Sequence, residues 1–133
     1  MIRPELGTQI TFLRVGDLAG STAFYEGRLG LELVLDQGGC RIYQAGKGGY
    51  LGICRDEQQD GADRSRGLIF TFVVEDVDGW YEYLVGQGLE PGEEPQVNQE
   101  YQIYHFFVQD PDGYTLEFQR FLDPDWHRRE TGG

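Results

Sequence analysis

The sequence has no apolar run approaching about 18 residues, so nothing in it reads as a transmembrane helix. Its opening stretch, MIRPELGTQI, lacks the apolar core of a secretion signal, and the expectation is a cytoplasmic protein with no membrane partner. Basic residues are scarce: 11 Lys and Arg against 23 Asp and Glu leave a net charge of -12. A chain this acidic lacks the basic face that a nucleic-acid backbone requires, which argues against such a partner. The same charge favours a cationic or metal-bearing ligand, although acidity also serves solubility. Cysteine is nearly absent. Cys40 and Cys54 lie in strand-like segments without CxxC spacing, and an intracellular chain is expected to keep them as free thiols. Low-complexity tracts are missing too, and 133 residues with 14% aromatics are enough for one packed domain.

What is present is an internal repeat. QITFLRVGDLAGSTAFYEGRLGLEL reads strand, helix, strand, and IFTFVVEDVDGWYEYLVGQGLEP does the same. An offset of 59 residues lays Val15 on Val74, Asp17 on Asp76, Leu18 on Val77 and Gly20 on Gly79. After a one-residue deletion, GLE at 30–32 falls on GLE at 88–90. Each Asp closes a strand-like run and opens a helical one, where its side chain would cap free N–H groups. Gly30 and Gly88 stand where those helices would end in the left-handed conformation. Three strand-like runs follow in each half, at 31–37, 39–45 and 49–54 and at 90–97, 101–109 and 114–121. The expected fold is α+β: two βαβββ modules, 8–54 and 68–122, whose curved mixed sheets surround a shared cleft. A polar linker at 55–67 joins them, and a polar tail occupies 123–133, all within a single domain of residues 1–133.

TFLRVGDLAGSTAFYEGRLGLEL and FVQDPDGYTLEF resemble the two signature stretches of the glyoxalase / bleomycin-resistance / extradiol-dioxygenase superfamily, the vicinal oxygen chelate fold. The resemblance covers about residues 8–122 and implies the fold more firmly than any chemistry, because that fold hosts isomerases, dioxygenases and metal-free binding proteins alike. In the enzymes of that superfamily one His, Gln or Glu from the first strand and one from the last strand of each half hold a metal. Carried over, those positions are Ile10, Gly52, Ile69 and Glu117. Only Glu117 has a donor atom, and one carboxylate does not hold a divalent ion against water. Gln9 would reach the site only if a bulge turned it inward. No metal and no other cofactor are therefore expected. An arginine at the position of Arg14 contacts substrate in the glutathione-dependent glyoxalases; here it could equally pair with a local carboxylate.

The turn DPDG fixes a register. Pro111 in the second position and Gly113 in the left-handed conformation make a three-residue loop that pairs Asp110 with Tyr114. Phe107 then pairs with Glu117 and His105 with Gln119, and paired residues share a face. His105, Phe107, Glu117 and Gln119 would line one wall of the cleft, with Tyr101 or Ile103 further along. His105 lies within reach of a hydrogen bond to Glu117, and a histidine so held can act as a general base. In the first half the equivalent face carries Cys40, Ile42, Tyr50, Gly52 and Cys54, joined by Phe12 and Arg14. Trp126 could fold over the cleft mouth or meet a second subunit. His127 should be exposed, and Trp80 and Tyr81 should serve the core or an interface.

Three functional readings follow. The leading one is a metal-free small-molecule binding protein that takes a cationic or aromatic compound through Phe12, Arg14, Tyr50, Tyr101, His105, Phe107, Glu117, Gln119 and Trp126. The second is a lyase- or dioxygenase-like enzyme with an incomplete metal site, using His105 and Glu117 as acid and base. The third is a structural or regulatory domain. A homodimer is expected, since paired modules expose sheet edges.

Overall fold

The computed structural model describes residues 2–4, 8–56 and 68–126. The chain divides into two compact units, Met1–Ala62 and Asp63–Gly133. Most of the anticipated linker, 57–67, lies outside the described residues, as does His127.

The first unit runs β1 (Gln9–Val15), α1 (Leu18–Thr22) continued by a π-helical segment (Ala23–Arg28), β2 (Glu32–Asp36), β3 (Cys40–Ala45) and β4 (Gly49–Arg55). Its sheet is ordered β1-β4-β3-β2, with β1 and β4 parallel and the other pairs antiparallel. The second unit runs β5 (Ile69–Val73), α2 (Val77–Gly86), β6 (Gln96–Asn98), β7 (Ile103–Gln109) and β8 (Thr115–Phe121). Its order is β5-β8-β7-β6, again with one parallel pair, β5 and β8. These are the two βαβββ modules of an α+β fold. No helix among the described residues is long and apolar enough to cross a membrane.

Strand alternation sorts each sheet into two faces. In the first module Leu13, Val15, Tyr43, Leu51 and Ile53 turn one way and are buried with Phe24, Tyr25 and Leu29 of the helix. In the second, Phe106, Val108, Leu116 and Phe118 are buried with Val77 and Leu84 of α2. Trp80 stacks on Phe118 at 5.2 Å and Tyr81 meets Phe106 edge-on at 5.4 Å, so both belong to this core. Among the described residues, neither the first module's helix nor α2 packs on the opposite face of its sheet.

Four local features refine the sequence reading. The repeat offset falls from 59 at Val15/Val74 to 58 at Gly30/Gly88, so the first helix holds one more residue than the second. The π-helical turn absorbs it, with Leu29 N donating to Phe24 O at 2.9 Å, one residue wider than an α-helical bond. Asp76 caps its helix by accepting from Gly79 N at 2.9 Å, whereas Asp17 makes no side-chain cap. The strand anticipated over 90–97 shrinks to Gln96–Asn98, because Pro91 and Pro95 lack the N–H a ladder needs. The linker begins later than residue 55, since Arg55 ends β4 and Asp56 is buried beside it.

Candidate functional site

The β7–β8 hairpin carries the buried polar residues Asp110, Glu117 and Gln119. Asp110 N donates to Tyr114 O at 2.9 Å and Gly113 N to Asp110 O at 3.0 Å, closing the turn. Asp110 Oδ1 accepts from Asp112 N at 2.9 Å and Tyr114 N at 2.8 Å, and Gly113 takes φ 87, a conformation glycine adopts without strain. The resulting register pairs Phe107 with Glu117 and His105 with Gln119, as the turn chemistry dictates. Parallel pairing adds Thr71 beside Glu117 and Val73 beside Gln119.

Glu117 is only 8% exposed, yet its carboxylate is fully engaged. Thr71 Oγ1 donates to Oε1 at 2.8 Å, and His105 Nδ1 lies 2.7 Å from Oε2. The buried Gln119 amide, with its nitrogen turned to the carboxylate, donates to both oxygens at 3.2 Å. A carboxylate surrounded by donors accepts from each of them, which places the shared proton on Nδ1 of His105. In the neutral ring Nε2 then carries the lone pair, and among the described residues it has no hydrogen-bond partner. Phe107 packs edge-on to the imidazole at 5.0 Å and stays 41% exposed. A pocket of about 180 Å³ borders this pair, lined by Gly92, Glu93, Glu94, Gln96, His105, Phe106 and Phe107. The arrangement can take a hydrogen-bonding group at Nε2, an apolar ring against Phe107 and a cation near Glu93 or Glu94.

The matching face of the first module is built differently. Phe12 pairs with Gly52 where Thr71 pairs with Glu117, and the Phe12 ring lies directly over Gly52, in the space a Cβ would take. Ile10 stands beside Tyr50 on the same face. The positions the metal enzymes of the resembling superfamily use are thus Ile10, Gly52, Ile69 and a Glu117 already held by three neighbours. This donor set does not fit a metal ion. Among the described residues no three His, Cys, Asp or Glu side chains converge as ligands. β1 carries no bulge, so Gln9 points to the face opposite Ile10.

Cys40 and Cys54 correct the expectation of free thiols. They face each other across β3 and β4, with Cα atoms 4.1 Å apart, and form a disulfide. Gly39 and Arg55 next to them share a ladder hydrogen bond, Arg55 N to Gly39 O at 2.9 Å, so the cysteines occupy the closer, non-hydrogen-bonded kind of pair. Arg14 sits beside Cys54 in β1, on the same face.

One aromatic candidate falls elsewhere than anticipated. Tyr101 is not in β7: it occupies a turn, 67% exposed, with its N–H on Asn98 Oδ1 at 3.1 Å. Gln102, at φ 52, breaks the extended backbone there, and Ile103 takes the position further along the His105 face. Residues 124–126 make a helical turn that sets the Trp126 ring 4.3 Å from Phe121, with Nε1 buried and, among the described residues, without a hydrogen-bond partner. Sequence reasoning missed Thr71, Glu93, Glu94 and Gln96. The first depends on parallel pairing that no local turn announces, and the others sit on a segment read as strand.

Comparison with known proteins agrees with this geometry. Among curated proteins nothing matches. Of solved structures, a glyoxalase/bleomycin resistance protein/dioxygenase from Nocardioides has a TM-score of 0.73 at 20% identity, covering 93% of this chain and 88% of that one. An integron cassette protein from the mobile metagenome of the Halifax Harbour sewage outfall reaches 0.70 at 26% identity, over 86% and 98%. A lactoylglutathione lyase from Agrobacterium tumefaciens reaches 0.68 at 23% identity, over 89% and 96%. The sequence profile that describes the Glyoxalase/Bleomycin resistance protein/Dioxygenase superfamily matches residues 8–118, and the chain belongs to that superfamily.

Proposed function

We propose that the protein binds a small molecule on the helix-free face of its second module, around His105, Phe107, Glu117 and Gln119, without a metal in the superfamily's four-ligand position. One observation carries this reading: Glu117, the sole donor among the four positions, is committed to Thr71, His105 and Gln119. Held this way, the carboxylate acts through the imidazole, presenting Nε2 beside the exposed face of Phe107. The ligand class is an amine-bearing aromatic compound. The net charge of -12 and the carboxylates of Glu93 and Glu94 at the pocket favour a cation, and Phe107 favours a ring.

A panel of amine-bearing aromatic compounds screened by native mass spectrometry against the purified chain tests this. The expected result is one compound bound per site with affinity lost in His105→Ala and Phe107→Ala; binding unchanged in both would overturn it. A second reading, a proton-transfer enzyme, is favoured by the Nε2 of a carboxylate-backed histidine, which has no hydrogen-bond partner among the described residues. Turnover of a bound compound that ceases in His105→Gln separates it from simple binding.

The reading extends to a cytoplasmic homodimer. Exposed Val34, Leu35, Ile69 and Val73, with edge strands in both sheets, support the second subunit. Sedimentation at micromolar concentration checks it: a species of twice the chain mass is expected, and a lone 15.1 kDa species counts against it.

A further inference from the structure

The row Arg14, Cys54, Cys40 runs across three neighbouring strands of the first module, all on the face away from the helix. Three features of that row bear on chemistry rather than on folding. Both cysteines are half-buried rather than enclosed. Most of the module's core, including Leu13, Val15, Leu51 and Ile53, lies on the other face, while Ile42 is buried on the bridge's own face beside Gly52. The β3–β4 ladder spans every pair from Cys40–Cys54 to Ala45–Gly49, so the hairpin is closed by backbone bonds with or without the sulfur link. A bridge in this place locks a pairing that already exists. Arg14 adds the fourth element: a cation one strand away from Cys54 favours the thiolate, the form that reacts.

We infer that Cys40 and Cys54 are a reversible dithiol/disulfide couple that exchanges with a low-molecular-weight disulfide, with Cys54 as the attacking thiolate. In the forward direction Cys54, having lost its proton, attacks one sulfur of the small disulfide. One small thiolate leaves and a mixed disulfide forms. Cys40 then loses its proton and attacks the Cys54 sulfur of that mixed disulfide, expelling the second small thiolate. The two protons go to the two small thiols, so two protein thiols are oxidised as one small disulfide is reduced. The couple is independent of the ligand reading above, since it lies in the other module.

The test uses the full chain equilibrated with mixtures of 2-mercaptoethanol and 2-hydroxyethyl disulfide, quenched with an alkylating reagent and weighed intact. These probes are uncharged, so any influence of Arg14 acts on the protein thiol and not on attraction of the reagent. The expected result is a reversible two-electron titration without unfolding, and in Cys40→Ser a mixed disulfide that accumulates on Cys54. Arg14→Gln should slow iodoacetamide modification of reduced Cys54 about three- to tenfold near pH 7. Two free thiols at every ratio would overturn the couple. So would a bridge that 2-mercaptoethanol opens only in denaturant, which would make it a fixed crosslink. The wild-type titration decides between these even where a variant fails to fold. Unchanged alkylation in Arg14→Gln would remove Arg14 from the assignment.

Discussion

The two modules share one topology and, in their three inner strands, one register, yet their helix-free faces carry different chemistry. Where the second places Thr71 against Glu117, the first places Phe12 against Gly52. In one a buried carboxylate collects a hydroxyl, an imidazole and an amide; in the other an aromatic ring lies across a strand that has no side chain beneath it. A duplicated backbone thus constrains where a side chain points and leaves free what it does. The polar face holds a hydrogen-bonded cluster, and the other face carries a half-buried cysteine pair. Their helices diverge as well, the first taking up an extra residue as a π turn and lacking the Asp cap of the second.

The largest effect expected from breaking this contrast is at Glu117. Glu117→Ala removes a buried acceptor and strands three donors, which should cost about 2–4 kcal/mol of stability, measured by urea unfolding. If the loss stays under about 0.5 kcal/mol, the cluster is loosely formed and the polar face is no organised site. Next comes Gly52→Ala, whose methyl meets the Phe12 ring and should cost about 1–2 kcal/mol by overpacking. The double change with Phe12→Ala should recover most of that loss; no recovery would mean that the ring does not lie there.

Much of the second module's polar face is legible in its amino acids alone. DPDG between strand-like runs specifies turn and register together, and the register alone brings His105 to Glu117. That Ile10, Gly52 and Ile69 carry no donor atoms is equally plain, since it rests on residue types. What escapes a sequence reading lies at longer range. Thr71 meets Glu117 through a parallel pair whose register no loop sets, and the commitment of the carboxylate follows from it. The disulfide has a local signal: a hairpin closed around AGKGG places 40 opposite 54. The general expectation of reduced thiols hides that signal in a sequence reading. The π turn is equally present in the drop of the repeat offset from 59 to 58, where a shorter loop would explain the same count.

Smaller changes sharpen the comparison further. Thr71→Val keeps the shape of the side chain and removes one donor to Glu117, with an expected cost of about 1 kcal/mol. An equal or larger loss in Phe12→Val would erase the asymmetry between the faces. The smallest contrast is at the helix starts. Asp76→Ala should cost about 1 kcal/mol through the lost cap on Gly79, while Asp17→Ala should change stability by only a few tenths. Equal costs would mean that both aspartates cap alike in solution.

The most direct test of the central claim, a carboxylate-backed histidine that serves as a ligand contact rather than part of a metal centre, is a long-range ¹H–¹⁵N correlation spectrum of His105. It should be recorded on the metal-free protein and again with one equivalent of Zn²⁺, Ni²⁺ or Mn²⁺. The expected result is a proton held on Nδ1 by Glu117, a free Nε2, and resonances that the metals leave in place. A proton on Nε2, or metal-induced shifts that vanish in Glu117→Gln, would contradict the claim.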